Sequence, residues 1–252
     1  MKLLYFFFFF IAVGTIIAQN KSDSKQNEPS YLTVTYKSNV YKSLEDSTIV
    51  LTSFDKKHIE DRNYVQNNLE FVLYCDKEKS LYKVVDKLDL RDGDPEFEME
   101  KMSLGARHKY FINNTEKENI KQTDLTGESF NIVLPFTKYN WNITTETKTI
   151  NGYLCYKATA HYEEFQKFRN RTLSFDPLVW FAPKLPYPFG PKGMHGLPGL
   201  IMEGSINGKT YFYASKIVFN SELKSPIVKP KGKSITADEY EDIQIKNMKL
   251  KY

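Results

Sequence analysis

Residues 141–159 read WNITTETKTINGYLCYKAT, and this stretch decides the fold class. On both sides of Asn151-Gly152 the side chains alternate between apolar and polar, which is typical of half-buried antiparallel strands. Asn-Gly supplies two residues that tolerate positive φ, as a tight type I′ turn requires. The stretch therefore predicts a β-hairpin whose turn is Asn151 and Gly152.

The same alternation recurs in short runs along the chain, rich in Val, Tyr, Phe and Thr. Asn207-Gly208 predicts a second hairpin, and residues 76–79 indicate a third. Many short strands with little helical pattern predict a mainly β protein: a single curved antiparallel sheet, bowl-like or a partly open barrel, of about ten strands. The other runs are YLTVTYKSNVY, STIVLTSF, LEFVLYCD, SLYKVVDK, KYFINN, SFNIVLPF, LVWFAP and TYFYASKIVF.

One short helix is predicted near the C-terminus, in SITADEYEDIQIKNMK. Thr236 is placed to cap its first turn, and Glu239 follows three residues later, as a capping box requires. The segment from Asp92 to Leu104 is acidic and irregular, and its sequence predicts no definite element.

The N-terminus has the layout of a secretory signal peptide, with Lys2, an apolar run from Leu3 to Val13 and then Ala18. A retained membrane anchor is the alternative, but the run is short for a spanning helix. We expect a signal peptide at residues 1–18, a flexible leader at 19–30 and one β domain at 31–252. The protein is then exported, either periplasmic or secreted to the cell surface, with no transmembrane segment after cleavage.

The net charge argues against one class of partner, and the cysteine content leaves open whether the protein contains a disulfide. The formal net charge is +4, or +4 − 1 = +3 without Lys2, which is too small to predict nucleic-acid binding. Outside the cytoplasm two thiols often pair, so Cys75 and Cys155 form either a disulfide or two buried thiols on separate strands. The residues alone do not decide between these alternatives.

The stretch GPKGMHGLPGLI, residues 190–201, has glycine at every third position. Four triplets within a strand-rich chain do not make a collagen helix, and G-x-x-G before a strand is not a dinucleotide loop. Its prolines fix φ, and its glycines permit backbone angles that other residues resist. We therefore predict a rigid, packed crossing over residues 186–201 that plugs one end of the sheet and buries Leu197, Leu200 and Ile201.

No catalytic motif stands out. The four histidines show no metal-ligand spacing, so the sequence predicts neither a metal nor a cofactor. His195, Asp176 and Glu203 form the best candidate for an acid–base cluster. The alternative is that His195 lies in a polar turn without a chemical role.

Aromatic side chains crowd the region around the crossing, and a curved sheet with an aromatic face suits glycan rings, lipid or peptide. The alternative is that they fill the core, since aromatic residues commonly occupy strands. The candidate ligand-binding residues are Trp141, Tyr153, Trp180, Phe181 and Tyr187.

Residues 196–201 read GLPGLI and resemble the signature of the GLPGLI family, secreted proteins typical of the Bacteroidetes. We expect this motif to be structural; its members are Gly196, Leu197, Pro198, Gly199, Leu200 and Ile201. The upstream pattern is similar too, with Trp141 and, in TKTINGYLCYKATAHY, the residues Ile150, Gly152, Tyr153, Cys155, Lys157 and Ala158. The resemblance implies a bowl-like module like that at the front of a secreted peptide N-glycosidase. The family has no established activity, so it supplies no catalytic residues.

Two functions remain open at this level. The first is an exported, non-catalytic β-rich envelope protein that binds or scaffolds an unknown envelope component, glycan, lipid or peptide. The second is a secreted hydrolase with an unfamiliar site near His195, which requires the side chains of His195, Asp176 and Glu203 to converge.

Overall fold

The computed structural model describes residues 31–40, 53–87, 89, 91–167, 169–220 and 226–249. The predicted signal peptide, the leader and most of the STIVLTSF run lie outside the described residues. The first strands and helices are β1 (Tyr31–Val40), α1 (Ser53–Asn68), β2 (Phe71–Cys75), β3 (Lys79–Val84), α2 (Pro95–Ser103), β4 (Lys109–Asn113), β5 (Glu118–Leu125) and β6 (Glu128–Val133). They are followed by β7 (Asn142–Ile150), β8 (Tyr153–Thr159), β9 (Tyr162–Gln166), β10 (Arg171–Phe175), β11 (Leu178–Ala182), a 3₁₀ turn (Pro191–Gly193), β12 (Leu200–Ser205), β13 (Thr210–Asn220), β14 (Lys233–Thr236) and α3 (Ala237–Lys249).

Twelve of the described strands form one large, curved, open sheet, which confirms the predicted fold class. Its order is β14-β6-β5-β4-β3-β2-β1-β13-β12-β11-β8-β7, and β9 with β10 makes a separate two-stranded hairpin. The expected count of about ten strands was low, and one pairing is not antiparallel, because β14 runs parallel to β6. The antiparallel pairing of β1 with β13 lies in the middle of the sheet and brings the first described strand beside a strand from late in the chain.

The hairpin that decides the fold class is present. Asn151 has φ 50° and Gly152 has φ 80°, as a type I′ turn requires, and Ile150 pairs with Tyr153 across it. The second hairpin exists, but the expected positive φ at Asn207 is wrong. Only Gly208 has positive φ, at 69°. Asn207 instead supports a longer loop through its Oδ1, which accepts from the amide of Thr210 at 3.1 Å.

The C-terminal helix and its capping box are confirmed. The carboxylate of Glu239 accepts from the amide of Thr236 at 2.7 Å, and the Thr236 hydroxyl accepts from the amide of Glu239 at 3.1 Å. Two helices were not predicted. α1 is polar on most of its surface, and among its described side chains only Val65 and Asp61 are buried, so its sequence has little helical periodicity. α2 begins at Asp94, whose side chain accepts from the amide of Phe97.

A row of aromatic side chains fills one face of the sheet. Tyr110 lies directly opposite Tyr82, and Tyr36 lies directly opposite Phe71, so all four project from the same side. Phe71 stacks on Tyr82 at 5.5 Å between centroids and meets the edge of Phe212 at 5.4 Å. We call this side of the sheet the inner face.

The Pro/Gly stretch crosses the inner face over β3, β4 and β5. Leu197, Leu200 and Ile201 are all buried, as the sequence predicts. The amide of Ile201 donates to the carbonyl of Phe189 at 2.9 Å, which ties the two ends of the crossing together. A Cβ on Gly199 would stand 2.3 Å from the carbonyl oxygen of Ala182, so this position admits only glycine without a backbone shift.

The packing of the crossing is incomplete at two residues of the GLPGLI motif, because Gly196 and Pro198 are exposed. The amide of Gly199 donates to the carbonyl of Leu197 at 2.8 Å, which places Pro198 at the tip of a tight turn, facing solvent. Gly196 has φ 93°, and its amide donates to the carbonyl of Pro188 at 3.1 Å. The expectation of a packed segment is therefore wrong for these two residues, which shape the backbone without being buried.

The β9–β10 hairpin connects the two ends of the sheet order. It leaves the sheet between β8 and β11, near one end, and contacts α3, which follows β14 at the other end. The Lys167 ammonium lies 3.0 Å from Asp238 and 3.2 Å from Asp242, and the Lys167 amide donates to Glu241 at 2.8 Å. We call these contacts the clasp.

Cys75 and Cys155 are both buried and both free, which is the second of the two alternatives that the sequence left open. Burial raises the pKa of each thiol, so neither is a thiolate at neutral pH. Among the helices of the described residues, none is both long and apolar enough to span a membrane.

Candidate functional site

The structure places the five aromatic candidates in different surroundings. Phe181 and Tyr187 are 2% and 6% exposed and belong to the core, which is the alternative given for the aromatic set. Trp141 is half-buried and donates from Nε1 to the carbonyl of His195 at 2.8 Å, so it fastens the crossing. Tyr153 is half-buried and packs against the core edge.

Trp180 is also half-buried, and its ring face is already occupied. The Lys148 ammonium lies 4.5 Å from the ring centroid and 2.7 Å from Glu203, the residue directly opposite Trp180 in the sheet. This cation–π contact occupies one ring face on which a sugar would stack. The five aromatic candidates therefore do not assemble into one open platform.

The acid–base cluster of His195, Asp176 and Glu203 is not formed. Asp176 pairs with His161 at 2.8 Å on the exposed surface, and Glu203 pairs with Lys148. Both nitrogens of His195 are used by backbone carbonyls. Across the described part of the chain, no hydrogen bond or ion pair joins any two of these three residues, so the expected convergence is wrong.

His195 instead holds the crossing in place. Its Nδ1 and Nε2 each lie 2.9 Å from a carbonyl oxygen, that of Gly193 and that of Phe136, and its side chain is buried. Burial lowers the pKa of His195, while the two carbonyl acceptors act in the opposite direction. The ring also contacts Tyr139, which stacks on Trp141 at 5.0 Å. This arrangement is structural and leaves no nitrogen for catalysis.

Three basic side chains meet on the inner face, and we call Lys121, Lys192 and His108 the basic cluster. Lys121 projects from β5 directly opposite Tyr110, which fixes it to this face. Lys192 comes from the crossing, and His108 precedes β4. A Cβ on Gly105 would stand 3.4 Å from Lys192 Nζ and 3.8 Å from His108 Cδ2, so both side chains pack against Gly105.

The charges of the basic cluster are not neutralised within the described residues. Neither Lys121 nor Lys192 has a hydrogen bond or ion pair to a described side chain, and the Lys192 ammonium has only the ring of Phe212, at 5.0 Å. Burial lowers the pKa of both lysines, that of Lys192 to about 8. Repulsion from Lys138 adds to the effect at Lys121, where Glu164 opposes it, and repulsion from Lys121 adds to the effect at Lys192. Burial and the neighbouring cations lower the pKa of His108 to about 3, so it is neutral at pH 7.

Uncharged polar atoms without hydrogen-bond partners lie on the same inner face. Ser38 Oγ, Tyr82 Oη and His108 Nδ1 are buried and have no hydrogen-bond partner in the protein. Ser38 lies directly opposite Phe212, and Tyr82 lies directly opposite Tyr110, so both project from the inner face. Buried polar groups are nearly always paired, and a group of unpaired ones beside unpaired ammonium groups indicates a place where a ligand or water completes the network.

One acidic side chain borders the basic cluster from the β9–β10 hairpin. Glu164 pairs with Lys138 at 2.6 Å, and Lys138 lies 4.4 Å from the ring centroid of Tyr162. Glu164 also acts electrostatically on Lys121, but its closest partner is Lys138. The β9–β10 hairpin therefore borders the basic cluster beside Lys121.

A second concave surface lies on the opposite face of the sheet. It is a groove of about 480 Å³, lined by Tyr74, Lys83 and Lys109 from the strands and by residues 226–231. No residue that the sequence marks as a candidate lies in it. Within the described part of the chain, no group of three or more His, Cys, Asp or Glu residues has the geometry of a metal site.

Sequence reasoning missed the basic cluster entirely. Lys121 lies in a strand whose polar and apolar residues do not alternate cleanly, so its face is not readable from the pattern. Lys192 offers a better signal, because it is a lysine within a Pro/Gly segment otherwise predicted to be buried. That signal becomes meaningful only when β4 and β5 are known to lie beneath the crossing.

Comparison with known proteins agrees with the fold. Residues 141–203 match the model of a family described as a protein of unknown function (Porph_ging), which confirms the resemblance to a Bacteroidetes family. A comparison with functionally characterised sequences gives no significant match.

Two structures of PNGF-II, a peptide N-glycosidase, are similar to this chain. The structures in space groups C2 and P21 each have a TM-score of 0.53 and 16% identity, and the match covers 86% and 85% of this chain. It covers 33% of the PNGF-II chain, so this chain spans about a third of the length of that protein. At this identity the likeness shows the fold alone, and it confirms the predicted resemblance in fold to a peptide N-glycosidase.

Proposed function

We propose that this chain, which carries the family segment at residues 141–203, is an exported, non-catalytic module that binds a ligand of the cell envelope on its inner face. The observation that carries the proposal is the basic cluster itself. It combines ammonium groups that have no ion pair among the described residues with buried polar atoms that have no hydrogen-bond partner there. Such an arrangement suits recognition of a polar ligand better than support of the core.

Binding is favoured over catalysis because the candidate hydrolase residues have other partners. A general base must reach its substrate proton, and both nitrogens of His195 face backbone carbonyls. The two cysteines are buried thiols with raised pKa values, so they are poor nucleophiles. The hydrolase hypothesis therefore has no remaining site near His195.

Export is part of the proposal and rests on the N-terminal sequence. One lysine, a short apolar run and Ala18 have the layout of a cleaved signal peptide. N-terminal sequencing of the protein recovered from the envelope or medium tests this, and the expected first residue is Gln19. Recovery of the intact N-terminus only from the cytoplasm would contradict export.

A ligand screen tests the binding function. Purified protein comprising residues 19–252 is applied to arrays of neutral and acidic glycans, to lipid vesicles and to peptides released from envelope fractions. NMR spectra with each positive ligand then locate the contact. The proposal expects shifts at Gly105, His108 and Gly193, which border the inner face. A screen with no ligand in any class, or shifts confined to the groove near Lys109, would contradict it.

A further inference from the structure

The basic cluster combines residues from three separate parts of the chain. Lys121 belongs to β5, Lys192 to the crossing and His108 to the segment before β4. No acidic side chain of the described residues forms an ion pair with either lysine. Removing two ammonium groups from water without a counter-ion costs free energy of folding. Stability therefore does not account for the cluster, which favours a functional role.

The backbone at Lys192 gives a second, independent observation. Lys192 has φ 53° and ψ 31° within the 3₁₀ turn, a left-handed conformation that a non-glycine residue adopts at a cost in free energy. Gly193, next to it, has φ 74°, and a Cβ there would stand 2.8 Å from Tyr110 Cδ1. The turn thus holds the crossing close against Tyr110 and presents the Lys192 side chain to the inner face.

The donors around the cluster match a negatively charged oxygen ligand. Two ammonium groups supply charge, and the hydroxyls of Ser38 and Tyr82 and the ring of His108 supply polar groups that have no partner in the protein. Carboxylate and phosphate oxygens accept several such bonds at once. Neutral ligands would leave the two ammonium groups without compensation.

We propose that the basic cluster on the inner face binds an oxyanion, the carboxylate or phosphate group of an acidic envelope ligand. Lys121 and Lys192 contact the anion from the sheet and from the crossing. Glu164, held by Lys138, marks the edge of the site and disfavours anions there. This inference rests on the proposed binding function and adds the chemical class of the ligand.

An NMR titration of ¹⁵N-labelled protein tests the inference at pH 7 and constant ionic strength. The probes are inorganic phosphate, galacturonate and its neutral counterpart galactose. The inference expects saturable shifts at Gly105 and Gly193 with phosphate or galacturonate and none with galactose. Phosphate represents a phosphate group and galacturonate represents a carboxylate. The probe that binds more tightly therefore shows which of the two groups the site recognises.

Variants connect the shifts to the two lysines. The double variant Lys121→Met with Lys192→Met is expected to weaken binding about tenfold or more, because charge-assisted hydrogen bonds are lost. Lys184→Met is the matched control, since Lys184 is an exposed lysine close to the crossing, and it leaves binding unchanged. If the double variant does not fold, each single variant is measured, and each is expected to weaken binding.

Several outcomes would overturn the inference. These are no saturable shift with either anion, equal shifts with galactose, or binding that survives loss of both lysines. Shifts confined to the groove around Tyr74 and Lys109 would also overturn it. If the anions fail while a neutral glycan or peptide shifts Gly105 and Gly193, only the oxyanion inference falls. If no ligand binds at all, the proposed function falls with it.

Discussion

The ammonium of Lys167 lies 3.0 Å from the carboxylate of Asp238, although Lys167 follows a strand outside the large sheet and Asp238 lies in the helix after its edge strand β14. Lys167 follows β9, which leaves the sheet beside β8, and Asp238 lies in the helix after β14. The same ammonium also lies 3.2 Å from Asp242. An open sheet is thereby bridged without being closed by strand pairing, and the inner face is bounded on that side.

Loss of the clasp should loosen this boundary without unfolding the protein. Lys167→Ala removes the ion pairs with Asp238 and Asp242, and solvent-exposed ion pairs contribute little to stability. We expect a small change in Tm but faster hydrogen exchange in the β9–β10 hairpin and α3. Lys216→Ala, an exposed lysine of β13, is the control and should change neither. Unchanged exchange in both elements would mean that the clasp does not bridge them.

Gly199 should be the least replaceable residue of the crossing. A Cβ there meets the backbone of Ala182 and Pro183, at 2.3 Å and 2.9 Å, and backbone cannot move aside as a side chain can. We expect Gly199→Ala to lower the free energy of unfolding by about 3 kcal/mol, measured by urea denaturation. Gly208→Ala has open space around its Cβ and positive φ, so about 1 kcal/mol is expected. Equal losses at both glycines would contradict the packing described here.

His195 should stabilise the protein through its contacts with two backbone carbonyls. A neutral imidazole has one N–H, so His195→Phe keeps a ring but removes the hydrogen bond to one of the carbonyls of Gly193 and Phe136 and the close polar contact with the other. The expected loss is about 2 kcal/mol or more in the free energy of unfolding. His161→Phe is the matched control, because His161 is exposed, and its effect on the free energy of unfolding should be much smaller than that of His195→Phe. If His195→Phe leaves the free energy of unfolding unchanged, the structural role of His195 is contradicted.

Because of Lys192, the free energy of unfolding should change with pH in the alkaline range. Its pKa is lowered to about 8 in the folded protein, chiefly by burial, while the unfolded chain keeps the ordinary lysine value of 10.5. Between these values the unfolded state binds more protons, so the contribution of Lys192 to stability rises with pH from about 8. Lys192→Met should therefore be more stable than the natural protein at pH 7, with a difference that shrinks by pH 9.5.

Denaturation at pH 7, 8, 9 and 9.5 measures that difference. The natural protein and Lys192→Met are compared at each pH. The buried tyrosines, whose pKa values are raised, are present in both proteins, so their contribution to the difference in stability cancels. Lys184→Met should show no such pH dependence. A difference that is constant over this range, or that grows with pH, would contradict the unpaired state of Lys192.

Local patterns in the sequence predicted local structure well. Asn151-Gly152 predicted its turn because the two residues tolerate the required φ, and Thr236 with Glu239 predicted the start of α3 because both bonds form within one turn. The burial of Leu197 followed from its place in a stiff Pro/Gly segment. The exposure of its neighbour Pro198 did not, because it depends on which way the turn around that proline faces.

The rest depends on contacts between distant parts of the chain. α1 was missed because its residues are mostly polar and its one buried apolar side chain among those described, Val65, gives no period. Lys121 and Lys192 are brought together only because β5 lies beneath the crossing, and Asp176 was separated from His195 for the same kind of reason. Nothing in the spacing of these residues encodes that proximity.

Hydrogen exchange of the crossing tests the central claim most directly, that residues 186–201 are packed architecture which holds Lys192 on the inner face. The amides of Leu200 and Ile201 donate to the carbonyls of Leu185 and Phe189 at 2.8 Å and 2.9 Å. The account predicts that both exchange as slowly as the amides of β1 in the centre of the sheet. Exchange as fast as that of an unstructured peptide would contradict it.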